Sequence, residues 1–213
     1  MRVAVVGASG FVGRSLIQFL LDHTTHDIVA VSRTPLKVSH PAATSRYQAI
    51  SCDLHNQLQL EHSLAGIDTA FYLVHSMLPG ARLNQGSFAD FDLSLADNFA
   101  RTARIRGVTH VIYLSGLAPA GGAISQHLRS RLEVETTLRT YLPKVTCLRA
   151  GMIVGPQGSS FTMMVRLVER LPLMLCPAWT RNQCQVAVLE DVVRCLAKCL
   201  DDPDFHGKTF DLG

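Results

Sequence analysis

Residues 3–13 read VAVVGASGFVG. Val3, Ala4, Val5 and Val6 form a short apolar run rich in β-branched side chains, the pattern of a strand buried on both faces. Gly7, Gly10 and Gly13 follow at GxxGxxG spacing, and Phe11 to Leu21 then reads as a helix with one apolar face. Strand, glycine turn and helix in that order form the context of a dinucleotide fingerprint. Each glycine has its own reason. Gly7 permits a sharp turn, Gly10 lets backbone approach a pyrophosphate, and Gly13 lets the helix pack close to the strand. Ser9, Phe11 and Val12 fill the same turn, where first-turn N–H groups and a partial positive charge face the phosphates.

The chain has 213 residues, 47% hydrophobic and 17% charged, enough for one α/β domain spanning 1–213 with a sizeable core. A net charge of +3 gives no case for a nucleic-acid partner. The six cysteines form no CxxC pair, and no metal site is expected. No apolar run reaches membrane-spanning length, so no membrane partner is expected. The first residues read as a strand rather than a leader, and a reducing cytoplasm is the expected location.

Further strands are expected at Asp27–Ser32, Tyr47–Ser51, Asp68–Val74, Val108–Leu114, Lys144–Arg149, Gln185–Leu189 and Thr209–Leu212. Helices are expected at Leu58–Ala65, Phe88–Arg106, His127–Leu142, Phe161–Glu169 and Glu190–Leu200. This alternation predicts an α/β doubly wound, mostly parallel sheet of order 3-2-1-4-5-6, with a seventh strand and helices on both faces. Residues 151–158 read as a glycine-rich exit. Residues 151–183, including the proline-broken run Leu171–Trp179, read as a small substrate-side lobe or flap.

Arg33 stands directly after the second strand, where no acidic residue is available for a ribose 2′-hydroxyl. An Arg there suits the 2′-phosphate of NADP(H), so NADP(H) is expected over NAD(H). Asp53 ends the third strand and could serve as a helix cap. Val74 and His75 stand at the carboxyl end of the fourth strand, facing the ligand crevice. Ser115 follows the fifth strand, and Ser125 is a candidate cap for the helix carrying His127 and Arg131.

Several segments occur in a telling order: the glycine turn, Asp53-Leu54, FYLVHSM (71–77), YLSGL (113–117), HLRSRLEVE (127–135), LRAGMIVGP (148–156) and LEDVV (189–193). Together they resemble the atypical short-chain dehydrogenase/reductases, NAD(P)-binding proteins of the NAD-dependent epimerase/dehydratase type. The resemblance implies that Asp53 and Leu54 contact the adenine. It also implies that a further C-terminal domain can follow, as in one bacterial subgroup. Active members use a Ser together with Tyr-x-x-x-Lys. Here Ser115 matches the Ser, while His127 and Arg131 fill the Tyr and Lys places. Arg131 retains the charge for a ribose hydroxyl, and neutral His127 can accept a proton. Two expectations follow. One is an NADP(H)-dependent oxidoreductase or epimerase acting on a small carbonyl or sugar-nucleotide-like substrate. The other is an NADP(H)-sensing regulator that binds a protein partner, similar to the nitrogen-metabolite repressors. The helix pair 88–106 and 127–142 is the expected homodimer surface.

Overall fold

The computed structural model describes residues 1–75, 88–119, 121, 124–156, 158–170 and 184–213. Its strands are β1 (Arg2–Val6), β2 (Asp27–Ser32), β3 (Tyr47–Ser51), β4 (Thr69–Tyr72), β5 (His110–Gly116), β6 (Val145–Ala150), β7 (Met152–Val154), β8 (Val186–Val188) and β9 (Thr209–Leu212). Its helices are α1 (Phe11–His23), α2 (Ala43–Arg46), α3 (Gln57–Ser63), α4 (Phe88–Ile105), α5 (Gln126–Tyr141), α6 (Ser159–Arg170) and α7 (Leu189–Asp201).

The main sheet runs β3-β2-β1-β4-β5-β6-β9, and its pairings are all parallel. The expected order and the seventh strand are both present. Alternation along each strand divides the core in two. On one face Val3, Val5, Ile112 and Leu114 pack with Leu16, Leu20, Val192 and Leu196 of α1 and α7. On the other, Ala4, Val6, Val111 and Tyr113 pack with Leu60, Phe99, Val134 and Leu138 of α3, α4 and α5. Leu138 of α5 belongs to this core, whereas Leu128 and Leu132 of the same helix are half-buried.

Three details differ from the sequence reading. First, β5 begins and ends later than expected. Gly107 closes α4 with φ +76°, Val108 donates back to the Ala103 carbonyl at 2.9 Å, and pairing starts only at His110. Ser115 and Gly116 therefore lie within the strand. Second, residues 151–158 are more than an exit. β7 pairs with β8 in a separate two-stranded parallel sheet, close enough that a Cβ on Gly151 would run into the Gln185 carbonyl. Third, the loop after β2 contains the one-turn helix α2, whose Arg46 donates to the carbonyls of Leu21, Thr24 and His26 at the end of α1. Residues 157 and 171–183 of the expected flap, and Ser76-Met77, lie outside the described residues.

Candidate dinucleotide site and its reactive end

The turn after β1 is built around close backbone approach. Gly7 has φ +94°, and its N–H donates to the Val31 carbonyl at 2.9 Å. A Cβ there would stand 2.8 Å from the Leu73 carbonyl oxygen, and one at Gly13 would stand 2.5 Å from the Gly7 carbonyl oxygen. Gly10 is the N-cap of α1 and offers no capping side chain, and the first turn contains no acid. The first backbone bond back to this turn is Arg14 N–H to Gly10, so the N–H groups of Phe11, Val12 and Gly13 stay free of backbone partners. Arg14 Nε donates to the Ser9 carbonyl at 2.9 Å. The Phe11 ring turns away from this cradle, and Cβ atoms on Gly155 or Gly158 would touch its tip at 3.2 Å. A positive, side-chain-free cradle of this kind fits a pyrophosphate.

At the end of β2, the Ser32 hydroxyl donates to the Thr34 carbonyl at 2.7 Å and fixes the turn. Ser51 Oγ donates to the Arg33 carbonyl at 2.9 Å, while the exposed Arg33 guanidinium engages no described residue. Asp53 does not cap α3. Asn56 does, accepting the Gln59 N–H at 3.1 Å, and Asp53 Oδ1 instead accepts the His55 N–H at 3.0 Å. The Leu54 side chain is in the α3–α4 core, and its carbonyl accepts from Asn98 Nδ2 at 3.3 Å.

The third group lies where β4 and β5 end. Val74 is half-buried and His75 exposed. Arg131 is 6% exposed, and its Nη1 donates to His75 Nε2 at 2.6 Å. A guanidinium only donates, so Nε2 carries no proton and the ring's N–H is Nδ1. Burial pulls the Arg131 pKa down to about 10. Strand alternation puts Tyr113 and Ser115 on the face toward α5. The Tyr113 phenol, fully buried, donates to the Arg131 carbonyl at 3.4 Å, and burial pushes its pKa far upward. Ser115 is 5% exposed; its Oγ lies on the Tyr113 side but has no partner in hydrogen-bond geometry. The Arg131 stem passes beside Gly116, whose added Cβ would lie 3.9 Å from Arg131 Cγ.

Arg131, His75 and the end of β5 are thus brought together. His127 is exposed on the first turn of α5, after the Ser125 cap that accepts the Leu128 N–H at 3.2 Å, and no hydrogen bond joins it to this group among the described residues. The His75–Arg131 bond was not anticipated. Both residues stood out in the sequence, but nothing in a sequence spacing of 56 residues reports their contact. Among the described residues no cluster of three metal-ligating side chains occurs, and no helix is long and apolar enough to cross a membrane.

Comparison with known proteins agrees with this geometry. A family model described as NAD(P)H-binding matches residues 7–152. The ceramide reductase of Caulobacter vibrioides is 25% identical over 198 residues, 92% of this chain and 60% of that protein. The auxiliary protein GraX of Staphylococcus aureus is 28% identical over 115 residues, 54% of this chain and 36% of that protein. The chain therefore spans less than two thirds of either relative. Among solved structures, a nucleoside-diphosphate-sugar epimerase from Staphylococcus aureus superposes with TM-score 0.79 at 17% identity, covering 100% of this chain and 71% of the other. A UDP-glucuronic acid 4-epimerase from Bacillus cereus, solved with UDP-glucuronic acid and NAD, gives 0.75 at 20% identity, covering 100% and 77%. At these identities the superpositions speak for the fold.

Proposed function

The chain belongs to the NAD(P)H-binding family, and on that premise we propose that it is an NADP(H)-dependent oxidoreductase or epimerase acting on a small carbonyl or sugar-nucleotide-like compound. The carrying observation is the cradle at the start of α1. Side chains are sterically excluded at Gly7 and Gly13, and three N–H groups are left for an anion. In this reading Gly7, Ser9, Gly10, Phe11, Val12 and Gly13 hold the pyrophosphate. Arg33 meets the 2′-phosphate, Asp53 and Leu54 border the adenine, and Val74, His75 and Arg131 border the nicotinamide ribose. A bound nicotinamide supplies a hydride donor or acceptor. Ser115 then holds the substrate oxygen, Arg131 supplies fixed positive charge beside it, and His127 exchanges a proton with solvent. The similarity to a ceramide reductase over 92% of the chain supports a carbonyl substrate.

One observation favours a second reading. His127 takes the place of the family phenol, is exposed, and has no hydrogen bond to Ser115 or Arg131 among the described residues. This suits a non-catalytic NADP(H) sensor that binds a protein partner. NADPH oxidation over a panel of aldehydes, ketones and nucleotide sugars separates the two. Turnover that is lost in His127→Ala, with NADPH affinity retained, supports the enzyme. Tight NADPH binding with no turnover of any compound supports the sensor.

A further inference from the structure

We propose a second ligand site at the end of the sheet opposite the dinucleotide cradle, in the groove between the last turns of α4 and α5. Its ligand is a small organic anion with a flat apolar body. The site stands independently of the NADP(H) reading. The cradle follows the carboxyl end of β1, whereas Thr109 and Lys144 immediately precede β5 and β6. In a parallel sheet these two places lie at opposite strand ends.

The groove offers about 780 Å³ of space, within the range of small-molecule sites. Val108 and Leu142, both buried, form its floor, and the half-buried Tyr141 and exposed Pro143 continue the apolar surface. Around this surface stand three cations: Arg104 of α4, Arg139 of α5 and Lys144 before β6. Among the described residues no acid lines the groove. Arg139 is already compensated, since it donates to Glu135, the Gly207 carbonyl and Thr209. Arg101, whose guanidinium lies over the Tyr141 ring at 5.4 Å, is paired with Asp97 at 2.9 Å. The side chains of Arg104 and Lys144 hydrogen-bond or ion-pair with no described residue. Two uncompensated charges of one sign, brought from different elements to one groove, create a positive potential that an anion relieves. The floor decides what else the ligand carries. An inorganic anion leaves it wet, whereas an apolar body covers it. A carboxylate head between Arg104 and Lys144, with the body along Tyr141 and Pro143, uses both features. At exposed cations each charge contribution is small and salt-dependent, so head and body act together.

The test is NMR titration of the whole chain with three probes: cinnamate, its uncharged counterpart cinnamamide, and acetate, which has the charge without the body. The readouts are the backbone amide signals of Gly107, Thr109, Thr140 and Lys144, set against those of Gly7 to Gly13 in the cradle. Cinnamate should shift the first set saturably and, at low salt, bind about fivefold tighter than cinnamamide. Acetate should barely move them, and added salt should shrink the preference. Arg104→Gln combined with Lys144→Gln, both at exposed positions, should remove the preference while leaving cinnamamide affinity and the melting temperature unchanged. Saturating NADPH should leave cinnamate in place. Equal binding of acid and amide, an unchanged preference in the double variant, or shifts confined to the cradle and erased by NADPH overturns the proposal. Cinnamate shifts in the groove of a chain that binds no NADPH would support this site and count against the NADP(H) reading alone.

Discussion

In the proposed NADP(H) reading, Arg33 is suited to a 2′-phosphate because it is unengaged among the described residues. Its carbonyl is tied to Ser51, but its guanidinium has no described partner to release before meeting a phosphate. A charge-assisted bond contributes roughly 1.5–3 kcal/mol. NADPH should therefore bind more than about tenfold tighter than NADH by calorimetry, and Arg33→Ala should bring the two affinities together. His110 makes a pH prediction of its own. It is 3% exposed, Nε2 bonds Thr146 Oγ1 at 2.8 Å, and Nδ1 is buried without a partner. The Thr146 hydroxyl donates to the Phe205 carbonyl, so Nε2 is the donor and Nδ1 the bare acceptor. Burial, with His206 and Lys144 nearby, lowers the His110 pKa to about 4. The folded pKa lies below the unfolded value of about 6.5, so the unfolded chain takes up the proton first. Stability from this residue is complete above that value and falls as pH drops from about 6.5 to 4, by at most about 3 kcal/mol. Urea midpoints measured from pH 7 to 4.5 should show this fall, and His110→Gln should flatten it.

Among the elements, β1 and α1 were the most legible. A buried apolar run and a glycine spacing each have one good structural solution here, and they agree. The turn also gives a sharp mutational expectation. Gly13→Ala places a methyl 2.5 Å from the Gly7 carbonyl oxygen, which is backbone and cannot rotate away. It should cost about 1–3 kcal/mol of thermal stability and weaken NADPH as well. Gly107, open to solvent with nothing within 4 Å of an added Cβ, should instead affect stability alone through its positive φ. The end of α3 was less legible. Asp53 and Asn56 are both good cap residues three positions apart, and local composition does not rank them. The pairing of β7 with β8 was hidden for another reason. Each strand has three residues, and their partnership depends on contacts across more than thirty positions that no periodicity records. The reactive end was half legible. The sequence supplied Ser115, His127 and Arg131, but burial separates Arg131 from exposed His127 although they are one turn apart.

At the scale of the whole molecule, Glu135 ties three elements together. Its carboxylate takes Arg139 on α5 at 3.3 Å and Arg149 on β6 at 3.0 Å, and Arg139 Nη2 reaches Thr209 of β9 at 2.8 Å. Glu135→Ala leaves two cations facing each other in a mostly buried site and should cost about 3 kcal/mol in urea unfolding. We propose the outer surface of α4 and α5 for homodimer contact, where α4 presents Ile105 at 71% exposure. Light scattering should give twice the mass of one chain, with Ile105→Asp shifting it toward the monomer. The place of β1 between β2 and β4 has a kinetic consequence. Val3 is paired on one side with Ile28 and on the other with Thr69. The first pairing closes a short loop, whereas the second must wait for a chain segment more than twice as long to return. Loop-closure entropy then rewards β1–β2 first and leaves the opposite edge of β1 open until β4 arrives. Refolding should accordingly be limited by the β1–β4 docking step. Substitutions at the Phe71 contact should slow it, and those confined to the β2–β3 margin should mainly speed unfolding.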